Sequence, residues 1–497
     1  MNRFVETVRH LSLRQIATRA AFMAERAVRR LTAPPPRPWS APVHTTLTAP
    51  EGSRLRAFQV QSFEYARELH ADAFRAAAKS WIDAHRSRRG DAWHPYPTSL
   101  RIAAWCDALT RFGDDAEIRA SVAEQARYLA RHLEYDVRGN HLIENARALI
   151  RAGAYLHDDA LRERGVRVLA DEVPEQILAD GGHFERTPGY HVRVLEVLED
   201  AAKYADEPWL RRAIERMRAF LDAITPPNGR LPLLKDTTLV TRTAASPAQS
   251  RWLADSGFAV IANGDDFLIA DFGRVCPDYL PAHAHADMFS FELTIGGAPV
   301  IVDSGVYEYA AGEWRSWFRS TAAHNTVEID GHDQSEMWGS FRVGRRAHPR
   351  NVAWTEDAQF VAISGEHDGY APVIHHRTIL KPRDARLWII IDRISGSGAA
   401  RSYLHLHPDA RPPHLATFGG ALRETRGWYS ERFGEKRENR VLILETQAPA
   451  IFGYVLSADH EVTATLRGDG AIEVASGNFA AIVRVEPPAP PSLQRIR

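Results

Sequence analysis

Two histidines and an aspartate at alternating positions carry the clearest chemical signal in the sequence. His283, His285 and Asp287 lie in PAHAHADMFSFELTI (281–295), directly before an apolar run that is typical of a core strand. An extended backbone would place the three polar side chains on the same side as the buried residues that follow. Imidazole and carboxylate groups bind metal ions and transfer protons near neutral pH, so this spacing favours a metal or catalytic site over a structural role.

Two further polar residues lie at the borders of neighbouring predicted strands. Asp303 ends the strand APVIVD, and His324 lies in STAAHNT, directly before the next strand. Together with His285 they form a possible metal-binding set. A simple hairpin with a two-residue Gly-Gly turn would pair Asp303 with Ser290, roughly 17 Å of strand away from His285. The set therefore requires a bulged hairpin, or a segment 281–287 that folds back.

A polar stripe follows one side of the predicted helix GNHLIENARALIRAGAYL (139–156). Its apolar residues share one face, whereas Asn140, Glu144, Arg147 and Arg151 share another. Periodicity alone favours a solvated surface, with Asn140 as the helix cap. The alternative is a binding site in which Glu144 and Arg147 contact a substrate.

A helix start in GGHFERTPGYH (181–191) carries the first candidate proton donor. Thr187 is a natural N-cap and Pro188 suits the first helical position, so Tyr190 and His191 lie in the first turn. A tyrosine near a helix N-terminus can be more acidic than usual. The alternative is a tyrosine that only packs at the helix end.

The elements that must position these residues change type along the chain. Residues 62–225 show seven amphipathic helical patterns, after a helical arm in the first 30 residues and a proline-rich linker, APPPRPWSAP (33–42). Beyond TPPNGRLPLLKD (225–236), short β-branched and aromatic runs predict antiparallel sheets. At 497 residues the chain exceeds one usual core. We therefore predict a helical domain over 1–250 and a β-rich domain over 251–497.

Composition narrows the class of protein. A net charge of -1 gives no global attraction to nucleic acid or to anionic membrane. Cys106 and Cys276 are the only cysteines, which excludes a disulfide framework and a thiolate zinc cluster. The sequence shows neither a signal-peptide core nor an apolar stretch long enough to span a bilayer. We therefore expect a cytoplasmic protein, with the periplasm as the alternative, and the oligomeric state stays open.

Several segments together resemble the heparinase II/III-like polysaccharide lyases, which include oligoalginate lyases. They are GNHLIENARAL, DGGHFERTPGYH, HAHADMFSFEL, VDSGVYEY and AAHNTVEIDG, in the family's order, within a likeness that covers most of residues 60–400. The resemblance implies a partial (α/α) toroid followed by an antiparallel β-sandwich. It also implies an enzyme that cleaves an anionic, uronic-acid-containing polysaccharide or oligosaccharide by β-elimination.

The resemblance also implies roles for individual residues. Asn140 and His141 would contact the substrate carboxylate, Tyr190 would donate a proton, and His283 would be the general base or its helper. His285, Asp303 and His324 would hold a mainly structural zinc ion. Tyr307, in VDSGVYEY, would be a second catalytic or substrate-binding tyrosine, and Tyr309 competes for that assignment.

The residue types suit this chemistry, and two alternatives remain. Donors that bind the uronate carboxylate stabilise the charge that develops when the neighbouring carbon loses its proton. The sequence contains no glycine-rich loop of the kind that binds phosphate groups, so it suggests no redox cofactor. The first alternative is a toroid glycoside hydrolase that uses Glu144 and Glu185 as its two carboxylates. The second is a non-catalytic polysaccharide-binding or assembly protein of exopolysaccharide metabolism.

Overall fold

The computed structural model describes residues 3–37, 39, 42, 49, 53–243 and 248–496. The proline-rich linker predicted at 33–42 therefore lies partly outside the described residues. Helices fill the first half of the described chain and antiparallel sheets fill the second half. None of the described helices is long and apolar enough to cross a bilayer.

Ten α-helices precede the first strand in the described part of the chain. They are α1 Arg3–Val8, α2 Leu13–Thr32, α3 Arg54–Ser62, α4 Ala71–Ala84, α5 Pro95–Phe112, α6 Ala116–Arg131, α7 Gly139–Leu156, α8 Asp159–Gln176, α9 Pro188–Ala202 and α10 Pro208–Ile224. The seven predicted helices correspond to α4–α10. Leu142, Ala146 and Leu149 of α7 are fully buried, as their shared face predicts.

The first predicted helix, 62–85, is broken in the structure. α3 ends at Ser62, a 3₁₀ turn covers Glu64–Glu68, and α4 begins at Ala71. The break lies at Phe63, whose backbone is left-handed (φ 60°) and whose ring is fully buried. Burial of this ring outweighs the helical periodicity of the surrounding residues, because tertiary packing overrides weak local propensity.

Nineteen strands and one short helix form the second half of the described chain. They are β1 Arg251–Leu253, β2 Phe258–Asn263, β3 Asp266–Asp271, β4 Phe291–Ile295, β5 Ala298–Ile301, α11 Glu313–Phe318, β6 Val327–Ile329, β7 Met337–Trp338, β8 Arg342–Val343, β9 Pro349–Glu356, β10 Phe360–Tyr370, β11 Val373–Pro382, β12 Leu387–His405, β13 His414–Phe418, β14 Ala421–Arg432, β15 Glu435–Ser457, β16 Val462–Leu466, β17 Ile472–Ser476, β18 Phe479–Arg484 and β19 Ser492–Arg495. They pair into antiparallel sheets of five (β1–β5), eight (β6 and β9–β15), four (β16–β19) and two (β7–β8) strands.

Alternation along the strands shows how these layers stack. In β2, Val260 packs into the helical core, while Ile261 joins a core shared with Ile390 of β12. Ile391, the next residue of β12, faces the other way and packs with Val474 of β17. The five-stranded sheet therefore lies between the helices and the eight-stranded sheet, whose far side is covered by the four-stranded sheet.

The segment that carries the paired histidines is a loop, so the prediction of an extended backbone from residue 283 is wrong. β4 begins only at Phe291. Before it, the backbone N–H of Ala286 donates to Arg319 and that of Ser290 donates to Asp287, which folds the chain back. The β4–β5 hairpin also contains an irregularity next to Leu293. Both features shorten the path between this segment and the end of β5.

Candidate active site

A buried carboxylate, Asp236, lies where the helices meet the sheets. It accepts hydrogen bonds from both terminal nitrogens of Arg315, one of them at 2.8 Å. Its two oxygens also lie 2.9 Å from Nδ1 of His283 and 2.9 Å from Nε2 of His285. Burial acts to raise the pKa of Asp236, but Arg315 and the two histidines hold it well below its usual range.

This charged carboxylate fixes the orientation of His283. An ionised carboxylate only accepts hydrogen bonds, so Nδ1 of His283 must donate to Asp236. In the neutral ring, the lone pair then lies on Nε2, which is 3.5 Å from an oxygen of Glu185. An imidazole held in this way by an aspartate is suited to accept a proton at its free nitrogen.

Tyr190 lies directly against His283. It is in the first turn of α9, its ring stacks on the imidazole with 3.7 Å between centroids, and its hydroxyl lies 3.0 Å from that of Tyr309. Burial raises the pKa of both phenols far above the usual value. The expectation that the helix N-terminus makes Tyr190 more acidic is therefore wrong, since desolvation of the phenolate dominates. Both tyrosines are protonated near neutral pH and can donate a proton.

Asn140, at the start of α7, is linked to His283 through Glu185. Its side-chain amide and its backbone N–H both donate to Oε1 of Glu185, at 3.2 and 3.3 Å. The preceding residue, Gly139, has φ +56°. A Cβ at Gly139 would lie 2.8 Å from Glu185 Oε1 and would collide with Leu280. The glycine therefore permits the close approach that joins Asn140 to Glu185 and, through Glu185, to His283.

His141, beside Asn140, is held ready to carry positive charge. Its Nδ1 lies 3.0 Å from Glu134 Oε1, and its ring stacks on Tyr96 at 4.1 Å. Burial alone would lower the pKa of His141, but the carboxylates of Glu134, Glu185 and Asp136 together raise it. When protonated, His141 is a charged donor beside the amide of Asn140, which suits the binding of a carboxylate.

The rest of the polar stripe on α7 is buried, so the interpretation of a solvated surface is wrong. Glu144 and Arg147 have exposed fractions of 1% and 8%. Arg147 Nε donates to Glu144 at 2.8 Å, and Arg147 also pairs with Asp200 at 3.1 Å. Arg193 lies 3.5 Å from the other oxygen of Glu144. These side chains hold helices together, and neither makes a described contact with Tyr190 or His283.

The two competing tyrosines of VDSGVYEY occupy different places. Tyr309 meets the hydroxyl of Tyr190 and lies 6.1 Å from the ring of His283. Tyr307 instead stacks on Phe318 and lies beneath the ammonium group of Lys436 at 4.4 Å. Tyr309 is therefore the one that reaches the cluster of His283, Tyr190 and Asp236.

The three residues of the predicted metal set lie near one another. His324 Nδ1 is 2.8 Å from Asp303 Oδ2, and the rings of His285 and His324 are 5.2 Å apart. Nδ1 of His285 and Nε2 of His324 are buried and have no hydrogen-bond partner in the described part of the chain. Nowhere among the described residues are three or more histidine, cysteine or acidic side chains already arranged to hold a metal ion.

Asp287 takes no part in that set. It lies 3.3 Å from the ammonium group of Lys235, which also pairs with Asp271, and all three side chains are buried. The sequence patterns did not single out Lys235, its neighbour Asp236 or Arg315. The available signal was the charged pair Lys235 and Asp236, which directly follows the apolar run LPLL (231–234). Charged residues next to a core segment are rarely buried unless they are paired, so this pair could have predicted buried charged partners elsewhere in the chain.

Comparison with known proteins assigns the two halves to related families. The family model described as Heparinase II/III N-terminus matches residues 60–254, and the one described as Heparinase II/III-like, C-terminal matches residues 245–478. The heparin-sulfate lyase of Pedobacter heparinus is 23% identical over 404 residues, which are 70% of this chain and 59% of that enzyme. The chain thus spans less than two thirds of the length of this relative.

Two other likenesses extend over most of the chain. The FtsZ-localized protein C of Caulobacter vibrioides is 25% identical over 409 residues, which are 72% of this chain and 70% of that protein. A crystal structure of heparinase III superposes with a TM-score of 0.74 at 17% identity, covering 90% of this chain and 86% of that one. At this identity the superposition shows that the folds are alike.

Proposed function

The chain belongs to the heparinase II/III-like family, and from that premise we propose that it is a polysaccharide lyase. Its substrate would be a uronic-acid-containing polysaccharide or oligosaccharide, which it would cleave by β-elimination. We further propose that α4–α10 form the partial (α/α) toroid of the family, and that the five- and eight-stranded sheets form its β-sandwich. The superposition on heparinase III supports this arrangement.

The observation that carries the proposal is the stack of Tyr190 on His283 across the junction. One ring comes from a helix and the other from the loop before β4, and their centroids are 3.7 Å apart. The imidazole is oriented by a charged Asp236, and the phenol is kept protonated by burial. A proton acceptor and a proton donor thus lie side by side, as an elimination requires.

Asn140 and His141 would bind the uronate carboxylate. The proton that leaves is on C5, next to this carboxylate, and it is only weakly acidic while the carboxylate repels further negative charge. The Asn140 amide and a charged His141 would stabilise the electrons that spread onto the carboxylate as the proton leaves. Asn140 now donates to Glu185, so binding would exchange that hydrogen bond for one to the substrate.

Two side chains would carry out the proton transfers of the elimination, with His283 as the acceptor and Tyr190 as the donor. His283 Nε2 takes the C5 proton, and the electrons of the C–H bond form the C4=C5 double bond. The C4–O bond breaks, and the leaving oxygen takes the phenolic proton of Tyr190. Tyr309, whose hydroxyl lies 3.0 Å away, can donate to the resulting phenolate until His283 returns the proton. General acid and base catalysis of this kind each contribute roughly 10²- to 10⁴-fold.

We also propose that His285, Asp303 and His324 bind a mainly structural zinc ion. Two nitrogens and one oxygen are a donor set that zinc accepts. The buried, unpaired nitrogens of His285 and His324 support the proposal, because such atoms are costly unless they gain a partner. When bound, the metal would stabilise the fold beside the site. We expect stoichiometric zinc by elemental analysis and a lower unfolding temperature after chelation; metal-free protein of unchanged stability would refute the proposal.

Product analysis tests the proposed reaction. The protein is incubated with alginate, with glycosaminoglycans and with bacterial exopolysaccharides, and the ultraviolet absorbance of the unsaturated uronate is followed. A lyase yields this chromophore together with new reducing ends in equal amount. A glycoside hydrolase yields reducing ends alone. Formation of no chromophore from any uronate polymer would refute the proposal.

A non-catalytic binding or assembly role is the second candidate. The likeness to FtsZ-localized protein C supports it, because this relative is matched over 70% of its own length and its name states a location and no reaction. In this case the polysaccharide would bind without the C4–O bond being broken. Retention of polysaccharide on the immobilised protein, with no new ends formed, would favour this second candidate over the lyase.

A further inference from the structure

The helix α2 packs on the protein with its polar face and exposes its apolar face, which is the reverse of a usual surface helix. Its polar side chains face the protein: Gln15 donates to the carbonyl of Tyr279, Arg19 pairs with Asp136, and Glu25 lies 2.8 Å from His132. At about 100° per residue, the apolar side chains form one continuous face on the opposite side. This outward face consists of five alanines together with Leu13, Ile16, Met23, Val28 and Leu31.

This face concentrates exposed apolar surface. Leu13 is 86% exposed and Leu31 is 88% exposed, and Phe4 and Val5 of the neighbouring α1 are 57% and 50% exposed. Seven of the eleven large apolar side chains that are exposed in the described residues lie in α1 and α2. Single exposed apolar residues are ordinary, but a contiguous patch marks an interaction surface.

The same segment is strongly basic, although the whole chain carries a charge of -1. Residues 3–32 contain seven arginines, two glutamates and no lysine or aspartate. A pocket of about 150 Å³ lies beside α2, and five arginines line it: Arg26, Arg29, Arg30, Arg88 and Arg89. Arg30 is exposed and lies at the edge of the outward apolar face. It places a positive charge at the border of the exposed patch.

We propose that α1 and α2 bind the surface of an anionic lipid bilayer. The outward apolar face would enter the region between headgroups and acyl chains, and Arg30 at its border would pair with lipid phosphates. This combination fits a bilayer better than a second copy of the chain, since a symmetric pairing of two such faces would bring their arginines together. The polar face of α2 remains on the protein, so the helix lies along the bilayer surface. The proposal is independent of the lyase activity.

Vesicle binding tests the proposal with the full chain. Phosphatidylcholine vesicles with and without phosphatidylglycerol are sedimented with the protein at low and high salt. We expect binding that requires phosphatidylglycerol and weakens with salt. The double variant Leu13→Asp/Leu31→Asp should bind roughly 100-fold more weakly or worse, because two leucines no longer enter the bilayer. Arg30→Gln should weaken binding about fivefold.

Leu422→Asp is the matched control, because Leu422 is an exposed leucine (45%) of β14, outside α1 and α2. It should bind vesicles as the unaltered protein does, and equal denaturant midpoints would show that all variants fold. Absence of binding to anionic vesicles, or equal binding by the Leu13→Asp/Leu31→Asp variant, would overturn the proposal. Dimers in sedimentation equilibrium that this double variant abolishes, without vesicle binding, would assign the face to a second copy.

Discussion

Replacement of Asp236 by asparagine tests the electrostatic centre of the site. Asp236 is fully buried and has an Arg315 guanidinium and two imidazoles around its oxygens. The asparagine keeps the size and part of the hydrogen bonding, but leaves the buried Arg315 charge without its counter-ion. Breaking one partner of a buried ion pair costs about 3 to 5 kcal/mol of unfolding free energy. We expect Asp236→Asn to lose stability within that range.

A double-mutant cycle isolates the pair. Arg315→Met removes the stranded charge, so Asp236→Asn/Arg315→Met should be destabilised by clearly less than the sum of the two single variants. Asp409→Asn is the matched control, because Asp409 also forms a two-pronged pair, with Arg437, but on the exposed surface. Exposed pairs of this kind contribute little, and we expect no measurable change.

Urea unfolding followed by fluorescence and by far-ultraviolet circular dichroism provides the free energies. The two probes together show whether the helical and β-rich parts unfold in one transition. An Asp236→Asn protein that unfolds at the same urea concentration as the unaltered protein would refute this expectation. Strict additivity of Asp236→Asn and Arg315→Met would also refute it, since the two charges would then be independent.

Three further predictions concern Tyr309, Gly139 and His191. Tyr309→Phe should lower kcat for chromophore formation by roughly 10-fold or more, because Tyr309 contacts the proton donor, whereas Tyr307→Phe should leave kcat nearly unchanged. Gly139→Ala should cost about 1 to 3 kcal/mol and exceed the cost of Gly264→Ala, which has a similar φ of +59° but open space, as urea midpoints would show. Burial lowers the pKa of His191 to about 4, so the folded state resists a proton that the unfolded state takes up below its ordinary pKa of about 6.5. The unaltered protein should therefore lose stability relative to His191→Gln as pH falls from 6.5 to 4, by about 2 kcal/mol at pH 5, as urea unfolding at each pH would show.

Local patterns predicted the elements and the peptide segments of the site. The periodicity of 62–225 identified α4–α10, and the β-branched runs identified strands such as β2 and β12. The helix start at Thr187 and Pro188 placed Tyr190 in the first turn of α9, where it lies. These features depend on residues that are close in sequence, so composition and spacing suffice to predict them.

The features that depend on distant residues could not be predicted in this way. The fold-back before Phe291 arises from hydrogen bonds to Arg319 and Asp271, which no local period reveals. Asp236 acquires its role only because Arg315 arrives from α11 and two imidazoles arrive from the loop before β4. The polar stripe on α7 gave the same periodicity that a solvated face would give. Its burial follows from ion pairs with α9, which lie outside the helix itself.

The rate of chromophore formation by Tyr190→Phe, compared with the rate of the unaltered protein on the preferred uronate polymer, shows whether Tyr190 is the proton donor. Tyr204→Phe is the control, because Tyr204 is a partly exposed tyrosine (36%) outside the cluster. We expect the unaltered protein and the control to form the unsaturated product at similar rates. Tyr190→Phe should be slower by roughly 10²- to 10⁴-fold with its fold intact. A folded Tyr190→Phe protein that forms the product at the unaltered rate would exclude Tyr190 as the proton donor.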